Sequence, residues 1–370
     1  MEYNMKYMQR AIELAKKGEG WVNPNPLVGA VIVKNDRIIG EGYHARYGEL
    51  HAERQAFASL TEDAANAQMY VTLEPCCHYG KQPPCVLAIV QHGISKVYVG
   101  SDDPNEKVCG KGVEYLRSHG IEVVTGVMKE ECDKLNPVFF HYITRKTPYV
   151  ALKYAMTMDG KIATGQGLSK WITNDVSRQR VQQLRNKYMG IMVGIGTVLK
   201  DDPMLNCRIE GGRNPVRIVC DSKLRIPLHC KIVESAGDIE TIIATQKPES
   251  EDNIYREKVK SLIESKVKIL YVSGDKNNIN LRELMVQLGK MSIDGILLEG
   301  GGSLNYSALK EGIVNEAWVF IAPKIFGGRN AISPVEGIGV DKPDSAFKFE
   351  LNSVENIHQD ILLNYRIKEG

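Results

Sequence analysis

Short apolar runs alternate with amphipathic helical segments through nearly the whole chain, and this restricts the fold to layered α/β architectures. Strand-like runs fall at residues 27–33, 38–42, 69–73, 96–100 and 122–125, with helices expected at 53–59, 86–92, 113–118 and near 129–141. Asn35 and Asp36 are turn formers between the first two runs, which therefore read as a strand pair. Ahead of them, Met5, Met8, Ile12 and Ala15 form one helical stripe rather than the continuous apolar core of a signal peptide.

The polar, proline-bearing stretch 144–148 interrupts the pattern, and a chain of 370 residues exceeds one typical core. Two domains are expected, at 1–146 and 147–370. In the second, strands are expected at 149–156, 190–193, 216–221, 241–244, 268–272 and 295–299, with helices at 175–187, 281–291 and 304–311. The stretch 347–367 alternates like a closing antiparallel hairpin, and no chemistry can be read after Ile321.

Composition narrows the function. A net charge of +2 with 7% aromatic residues is too mild for a nucleic-acid surface. No apolar run approaches the ~18 residues that span a bilayer. Eight cysteines are too few for a disulfide framework, which points to a reducing, cytoplasmic setting. Cys109, Cys132, Cys207, Cys220 and Cys230 are scattered and read as small buried apolar side chains. A homo-oligomer acting on a small molecule, with neither nucleic acid nor membrane as partner, is the expectation.

Three cysteines stand apart. In VTLEPCCHYGKQPPC, Cys76 follows a strand and Cys85 follows a Pro-Pro pair, while GYHARYGELHAERQA places His51 and Glu53 at a helix start. One imidazole and two thiolates suit zinc, leaving a fourth position open for water. Glu53 is not itself a ligand and is positioned to move protons between water and a leaving amine, as in zinc-dependent base deaminases. The cysteine spacing is longer than in the common Pro-Cys-x-x-Cys pattern, so residues 78–84 should loop over the pocket. Cys77, adjacent to a ligand, should point elsewhere. Asp103 and Asn105 read as turn builders.

The segments NPNPLVGAVIV, HAE and EPCCHYGKQPPC closely resemble the deaminase half of the bifunctional riboflavin-biosynthesis proteins, which join a pyrimidine deaminase to a 5-amino-6-(5-phosphoribosylamino)uracil reductase. The resemblance implies a cytidine-deaminase-like three-layer domain. Its substrate would be 2,5-diamino-6-ribosylamino-4(3H)-pyrimidinone 5′-phosphate, contacted by Asn25, His44, His78 and Lys81. An amide such as Asn25 can donate and accept across a heterocycle edge, and His78 and Lys81 suit a phosphate.

In the second half, DGILLEGGGSLNYSAL offers a strand, a glycine turn and bare amides at a helix start, which suit phosphate groups. Together with ALKYAMTMDGKIAT, SKWIT and VGIGTVLKDDPMLNCR, it resembles the reductase half of the same family. That implies a dihydrofolate-reductase-like fold and NADPH. Ala155, Trp171, Thr197, Asp201, Ser222 and the run Gly301, Gly302, Ser303, Leu304, Asn305, Tyr306 and Ser307 would contact the cofactor. Ser169, Arg185, Leu205, Arg208 and Glu299 would contact substrate, with Lys153 orienting the ribose or assisting protonation. Lys223 and Arg225 are the cations expected near a 2′-phosphate. Two rival readings are a nucleic-acid base deaminase, disfavoured by composition, and a deaminase whose second half is only an oligomerisation scaffold.

Overall fold

The computed structural model describes residues 4–80, 82–250, 252–275 and 278–368. It contains two compact units, Met1–Lys146 and Thr147–Gly370. The first runs α1 (Met5–Lys16), β1 (Gly29–Lys34), β2 (Arg37–Tyr43), α2 (Ala52–Ala58), β3 (Gln68–Leu73), α3 (Cys85–Gln91), β4 (Lys96–Ser101), α4 (Lys111–Ser118), β5 (Glu122–Val124), α5 (Lys129–Asp133) and α6 (Pro137–Arg145). Its sheet has the order β2-β1-β3-β4-β5. The β1 strand is antiparallel to β2 and β3, whereas β3, β4 and β5 run parallel.

Strand alternation builds three layers. Ala30, Ile32, Met69, Val71, Val97 and Val99 face one apolar cluster with residues of α2, α3 and α4. Val31, Val33, Tyr70 and Tyr98 face the other, with residues of α1. Both faces are covered, as parallel strands require. Met8, Ile12 and Ala15 bury as expected, but Met5 at the start of the stripe is exposed.

The second unit runs β6 (Tyr149–Thr157), α7 (Asp175–Lys187), β7 (Gly190–Gly194), α8 (Ile195–Asp201), β8 (Val216–Cys220), α9 (Lys231–Glu234), β9 (Thr241–Thr245), α10 (Asn253–Glu264), β10 (Lys268–Tyr271), α11 (Leu281–Lys290), β11 (Gly295–Leu298), α12 (Gly302–Lys310), β12 (Val314–Ala322), β13 (Phe349–Ile357) and β14 (Asp360–Ile367). These strands form one sheet ordered β10-β9-β8-β7-β11-β6-β12-β14-β13. It is parallel except at the last two pairings, where β14 is antiparallel to both β12 and β13. Met192, Ile218 and Ile242 point to a cluster shared with α11 and α12. Their neighbours Ile191, Val219 and Ile243 point to the cluster containing α8 and α9 residues.

Several expectations need correction. The helix expected near 129–141 is two, because Asn136 leaves the helical region at φ −124° and ψ 34° and Pro137 begins a new first turn. The polar stretch at 144 is not a linker at its start: α6 continues through Arg145 and ends on Lys146 in the left-handed region. Unforeseen elements include α8, hidden behind two glycines, and α10, which buries only Leu262 and so carries almost no apolar stripe. The nine-residue β12 also went unread, although it pairs in parallel with β6 near the middle of the sheet. Of the five scattered cysteines, Cys132, Cys220 and Cys230 are buried, whereas Cys207 is partly buried and Cys109 exposed.

One glycine governs the approach of α2 to the sheet. A Cβ on Gly42 would lie 2.3 Å from the Ala52 carbonyl oxygen and 2.3 Å from the Ala56 nitrogen, both backbone atoms of the helix segment that follows His51. Gly42→Ala is expected to destabilise the first unit by about 2 kcal/mol, the ordinary cost of overpacking, and to weaken metal retention with it. Urea denaturation read alongside metal content checks this; an unchanged midpoint would contradict the close-packing argument.

Candidate active sites

In the first unit, three sequence segments meet at the sheet end where β3 finishes. His51 is the N-cap of α2, held extended at φ −71° and ψ 161°. Cys76 lies just beyond β3, and Cys85 is the first residue of α3. His51 Nδ1 stands 3.5 Å from Cys76 Sγ and 3.4 Å from Cys85 Sγ, and the three donor atoms lie within 4.8 Å of one another. Zinc bonds of about 2.3 Å to sulfur and about 2.0 Å to nitrogen, at tetrahedral angles, require N···S edges of about 3.6 Å. The donor set fits that ion.

The surroundings hold the cage. Cys85 N–H donates to Cys76 Sγ at 3.3 Å, and Arg54 donates to the Pro83 and Pro84 carbonyls, tying α2 to the loop before α3. Hydrogen bonding from the Cys85 thiol, then from His51, pulls the Cys76 pKa down to about 4 against its burial. The Cys76 sulfur, then burial, pushes the Cys85 pKa up. Cys77 points away, its Sγ 3.5 Å from the Lys107 carbonyl.

Glu53 is buried in the first turn of α2, and burial, reinforced by the Cys76 sulfur, raises its pKa. It borders a cavity of about 230 Å³ that is also lined by Asn25, His44, His51, Cys76 and His78. His44 Nδ1 lies 3.1 Å from the Leu50 carbonyl, which can only accept, so that nitrogen carries the proton. Its Nε2 then accepts from the Asn25 amide at 3.1 Å, which leaves the Asn25 oxygen as an acceptor. Burial lowers the His44 pKa and keeps this tautomer neutral. His78 Nδ1 is buried without a partner among the described residues. Lys81 lies outside the described residues.

Sequence reading did not place Asp103, Asn105 and Glu74 in this cavity. Asp103 does build the expected turn, accepting from Asn105 N–H at 2.8 Å, but both side chains also line the cavity. Burial raises the Asp103 pKa to about 6. Glu74, directly before Pro75 and Cys76, accepts from the Gly110, Gly112 and Val113 amides at 3.0, 2.9 and 3.2 Å. It thereby caps α4 and fixes the strand end that leads to Cys76. A carboxylate closing an apolar strand was the available signal.

In the second unit, the structure joins Lys153, Arg185 and Glu299. Arg185 grips Glu299 with two bonds of 2.8 and 3.1 Å and donates to the Asn206 carbonyl at 3.0 Å; Lys153 Nζ is 3.6 Å from Glu299. Burial alone would raise the Glu299 pKa, but the two cations outweigh it and hold it at about 2. Burial lowers that of Lys153. Leu205 is buried, and Arg208 hangs from α7 through a bond from its amide to the Gln182 side chain at 3.0 Å. Ser169 is partly buried in the loop before α7.

A separate cavity of about 260 Å³ gathers Ser222, Ser303, Leu304 and Ser307 with Gly194, Gly196 and Arg225. The N-cap of α12, Gly301, makes no side-chain cap, and the Glu336 carboxylate packs beside Gly302 and accepts from the Ser303 hydroxyl at 3.2 Å. Thr197 Oγ1 flanks Gly301 at 3.7 Å from where a Cβ would lie. Lys223 does not line this cavity. Neither do Asn305, whose amide donates to the Pro334 carbonyl, and Tyr306, whose hydroxyl donates to the Gly339 carbonyl on another side of the helix. Ala155 sits on β6, Trp171 is exposed beneath the Arg178 guanidinium, and Asp201 ends α8; none reaches this cavity.

The fold and the two sites define a two-domain enzyme, a zinc-dependent deaminase joined to a reductase. Residues 1–101 match the cytidine and deoxycytidylate deaminase zinc-binding region, and residues 148–363 match the RibD C-terminal domain. The riboflavin biosynthesis protein RibD of Actinobacillus pleuropneumoniae is 52% identical over 98% of this chain and 95% of its own length. That of Aquifex aeolicus is 42% identical over 99% of each. Among solved structures, Acinetobacter baumannii RibD superposes with a TM-score of 0.88 at 36% identity over 99% of each chain. The diaminohydroxyphosphoribosylaminopyrimidine deaminase/5-amino-6-(5-phosphoribosylamino)uracil reductase of Thermotoga maritima gives 0.86 at 41% identity over 98% of each. The chain belongs to the RibD family and is a bifunctional riboflavin-biosynthesis enzyme with zinc and NADPH as its cofactors.

The Glu299 cluster has a pH signature. A carboxyl whose folded pKa of about 2 lies below its ordinary 4.5 stabilises the fold fully above that value and loses the contribution as pH falls toward 2. Glu299→Gln should flatten this acid limb of the denaturation profile of the second unit. Identical limbs in both proteins would show that the cluster is not linked to stability.

Proposed function

We propose that the first unit hydrolyses the exocyclic amine of 2,5-diamino-6-ribosylamino-4(3H)-pyrimidinone 5′-phosphate and that the second reduces the ribosyl group of the product to a ribityl chain. The observation that carries the first step is the His51, Cys76 and Cys85 donor triangle beside the buried, uncoordinated Glu53. Bound there, zinc lowers the pKa of water so that it attacks at neutral pH. Glu53 takes a proton from the attacking water and passes it to the ring nitrogen, then carries the hydroxyl proton to the amine, which leaves as ammonia as the ring carbon becomes a carbonyl. The Asn25 amide oxygen, fixed by His44, reads a ring N–H. His78 binds the phosphate from the cavity wall that Asp103 and Asn105 complete, with Lys81, outside the described residues, as the second cation expected for it.

For the second step, NADPH supplies the hydride, delivered to C1′ of the opened ribosyl group. The helix start from Gly301 to Ser303, with Leu304, Ser307, Ser222 and Thr197, binds the cofactor. Ala155, Trp171 and Asp201 meet the parts of the cofactor that extend beyond this cavity, whereas Asn305 and Tyr306 support α12 from its other sides. Arg185, Leu205, Arg208, Glu299 and Ser169 hold the phosphorylated substrate, and the pKa of Lys153, lowered by burial, suits it to supply a proton. Arg225 rather than Lys223 reads the 2′-phosphate, because it lines the cavity with Ser222. The enzyme works as a homo-oligomer in the cytoplasm, a location that fits its eight unpaired cysteines.

Incubation with the pyrimidinone phosphate, with and without NADPH, tests the whole reading by mass. Loss of the amine should occur alone without NADPH, followed by gain of two hydrogens with it. Cys76→Ser or Cys85→Ser should lose zinc and ammonia release while reduction of deaminated substrate persists. Glu53→Gln should keep zinc yet lose deamination by about a hundredfold or more; normal ammonia release from it would remove Glu53 from the proton path. Arg225→Ala should raise the KM for NADPH by about tenfold, a single charge-assisted contact, and leave that for NADH unchanged. Equal effects on both would reassign the 2′-phosphate.

A further inference from the structure

Every residue proposed to hold the reductase substrate, apart from Ser169, touches α7 or the loop hung on it. Arg185 and Gln182 belong to the helix; Glu299 is gripped by Arg185; and residues 206–208 are bonded to Arg185 and Gln182. The position of α7 on the sheet therefore sets the substrate site. Few apolar contacts fix that position, since Val181 and Leu184 are its only buried hydrophobic side chains. Polar groups near the end of the chain do so instead.

At the start of α7, Asp360 Oδ2 accepts from the Asn174 amide at 2.8 Å and from the Ser177 hydroxyl at 2.6 Å, with Asp360 and Ser177 both buried. The Asn174 side chain accepts from Ser177 N–H at 2.9 Å as the helix cap and donates to the Ile357 carbonyl at 2.9 Å. Asp360 and Ile357 are paired across the turn of the β13–β14 hairpin. At the other end, the hydroxyl of Tyr188, the C-cap residue, donates to Glu316 on β12, which also accepts from Trp318 Nε1 at 2.9 Å. Tyr188 and Glu316 are both buried. Buried charge-assisted bonds of this kind are directional, so they fix where the helix sits along its axis as well as holding it down.

We propose that Asp360 and Glu316 are positioning residues for the reductase, clamping the two ends of α7 to the closing strands and so aligning Arg185 and the 205–208 loop with substrate. This inference rests on the reading that Arg185 binds substrate, and the experiment separates the two. In the full-length enzyme at saturating NADPH, Asp360→Ala should raise the KM for the deaminated ribosylaminopyrimidine phosphate by about tenfold, because a small misplacement of a binding group is costly. Its kcat should stay within about twofold, as expected when ground-state and transition-state binding fall together. The KM for NADPH and the rate of ammonia release should not change. Asp360→Asn, which keeps an acceptor oxygen, should recover most of the affinity.

Ser177→Ala removes one bond without emptying the site and should raise the same KM by about threefold; it decides the matter where Asp360→Ala fails to fold. Folded clamp variants with wild-type substrate KM, whatever their melting temperature, overturn the proposal and leave Asp360 a stability residue. Arg185→Gln is the control. If it raises the KM and the clamp variants do not, only the clamp is wrong; if it too leaves the KM unchanged, the substrate site itself is misplaced.

Discussion

A cation held by three side chains from three stretches of chain demands that those stretches converge to a few tenths of an ångström. In the deaminase unit that demand falls on the end of β3 and the beginnings of two helices. The approach of α2 to the sheet depends on bare backbone at Gly42. Arg54 then carries the position of α2 across to the proline loop, and Glu74 locks the strand end to α4. The neighbouring carboxylate needs no separate support, because Glu53 sits in the first turn of the helix that His51 caps.

The reductase unit meets a different demand with the same layered architecture. There, two cations share one carboxylate: Glu299 offsets part of the charge of Arg185 and Lys153, and the cluster tolerates burial because each member has a partner. At the start of α12 the preceding residue supplies no side-chain cap, and the Glu336 carboxylate packs against Gly302 and accepts from the Ser303 hydroxyl instead.

Much of this was visible in the sequence, and the reasons are specific. His51, Glu53, Cys76 and Cys85 are legible because metal chemistry allows few residue types and their local contexts, strand end and helix start, can be read from short patterns. Apart from β12, the strands of both sheets are legible through dense apolar runs. By contrast, α10 buries a single leucine and leaves no stripe, and α8 hides in a glycine-rich segment. Asp103 and Glu74 escaped because a turn-forming or strand-terminal carboxylate has the same local signature whether it faces solvent or a cavity. Only tertiary placement separates the two. The same holds for Arg217, a fully buried cation whose partners at Thr241, Ser235 and Ile232 are distant in sequence.

The order in which the strands are used has a consequence for synthesis. In the deaminase unit, neighbours in the sheet are also close in sequence, and the layers can close as the chain emerges. In the second unit β6, its first strand, lies between β11 and β12, so it waits for most of the unit to be translated before either neighbour arrives. The hairpin that covers the outer side of β12 comes later still. A translating ribosome therefore carries a finished hydrolase module tethered to an open, apolar sheet edge for the time needed to add roughly two hundred residues, on the order of ten seconds or more at ordinary elongation rates.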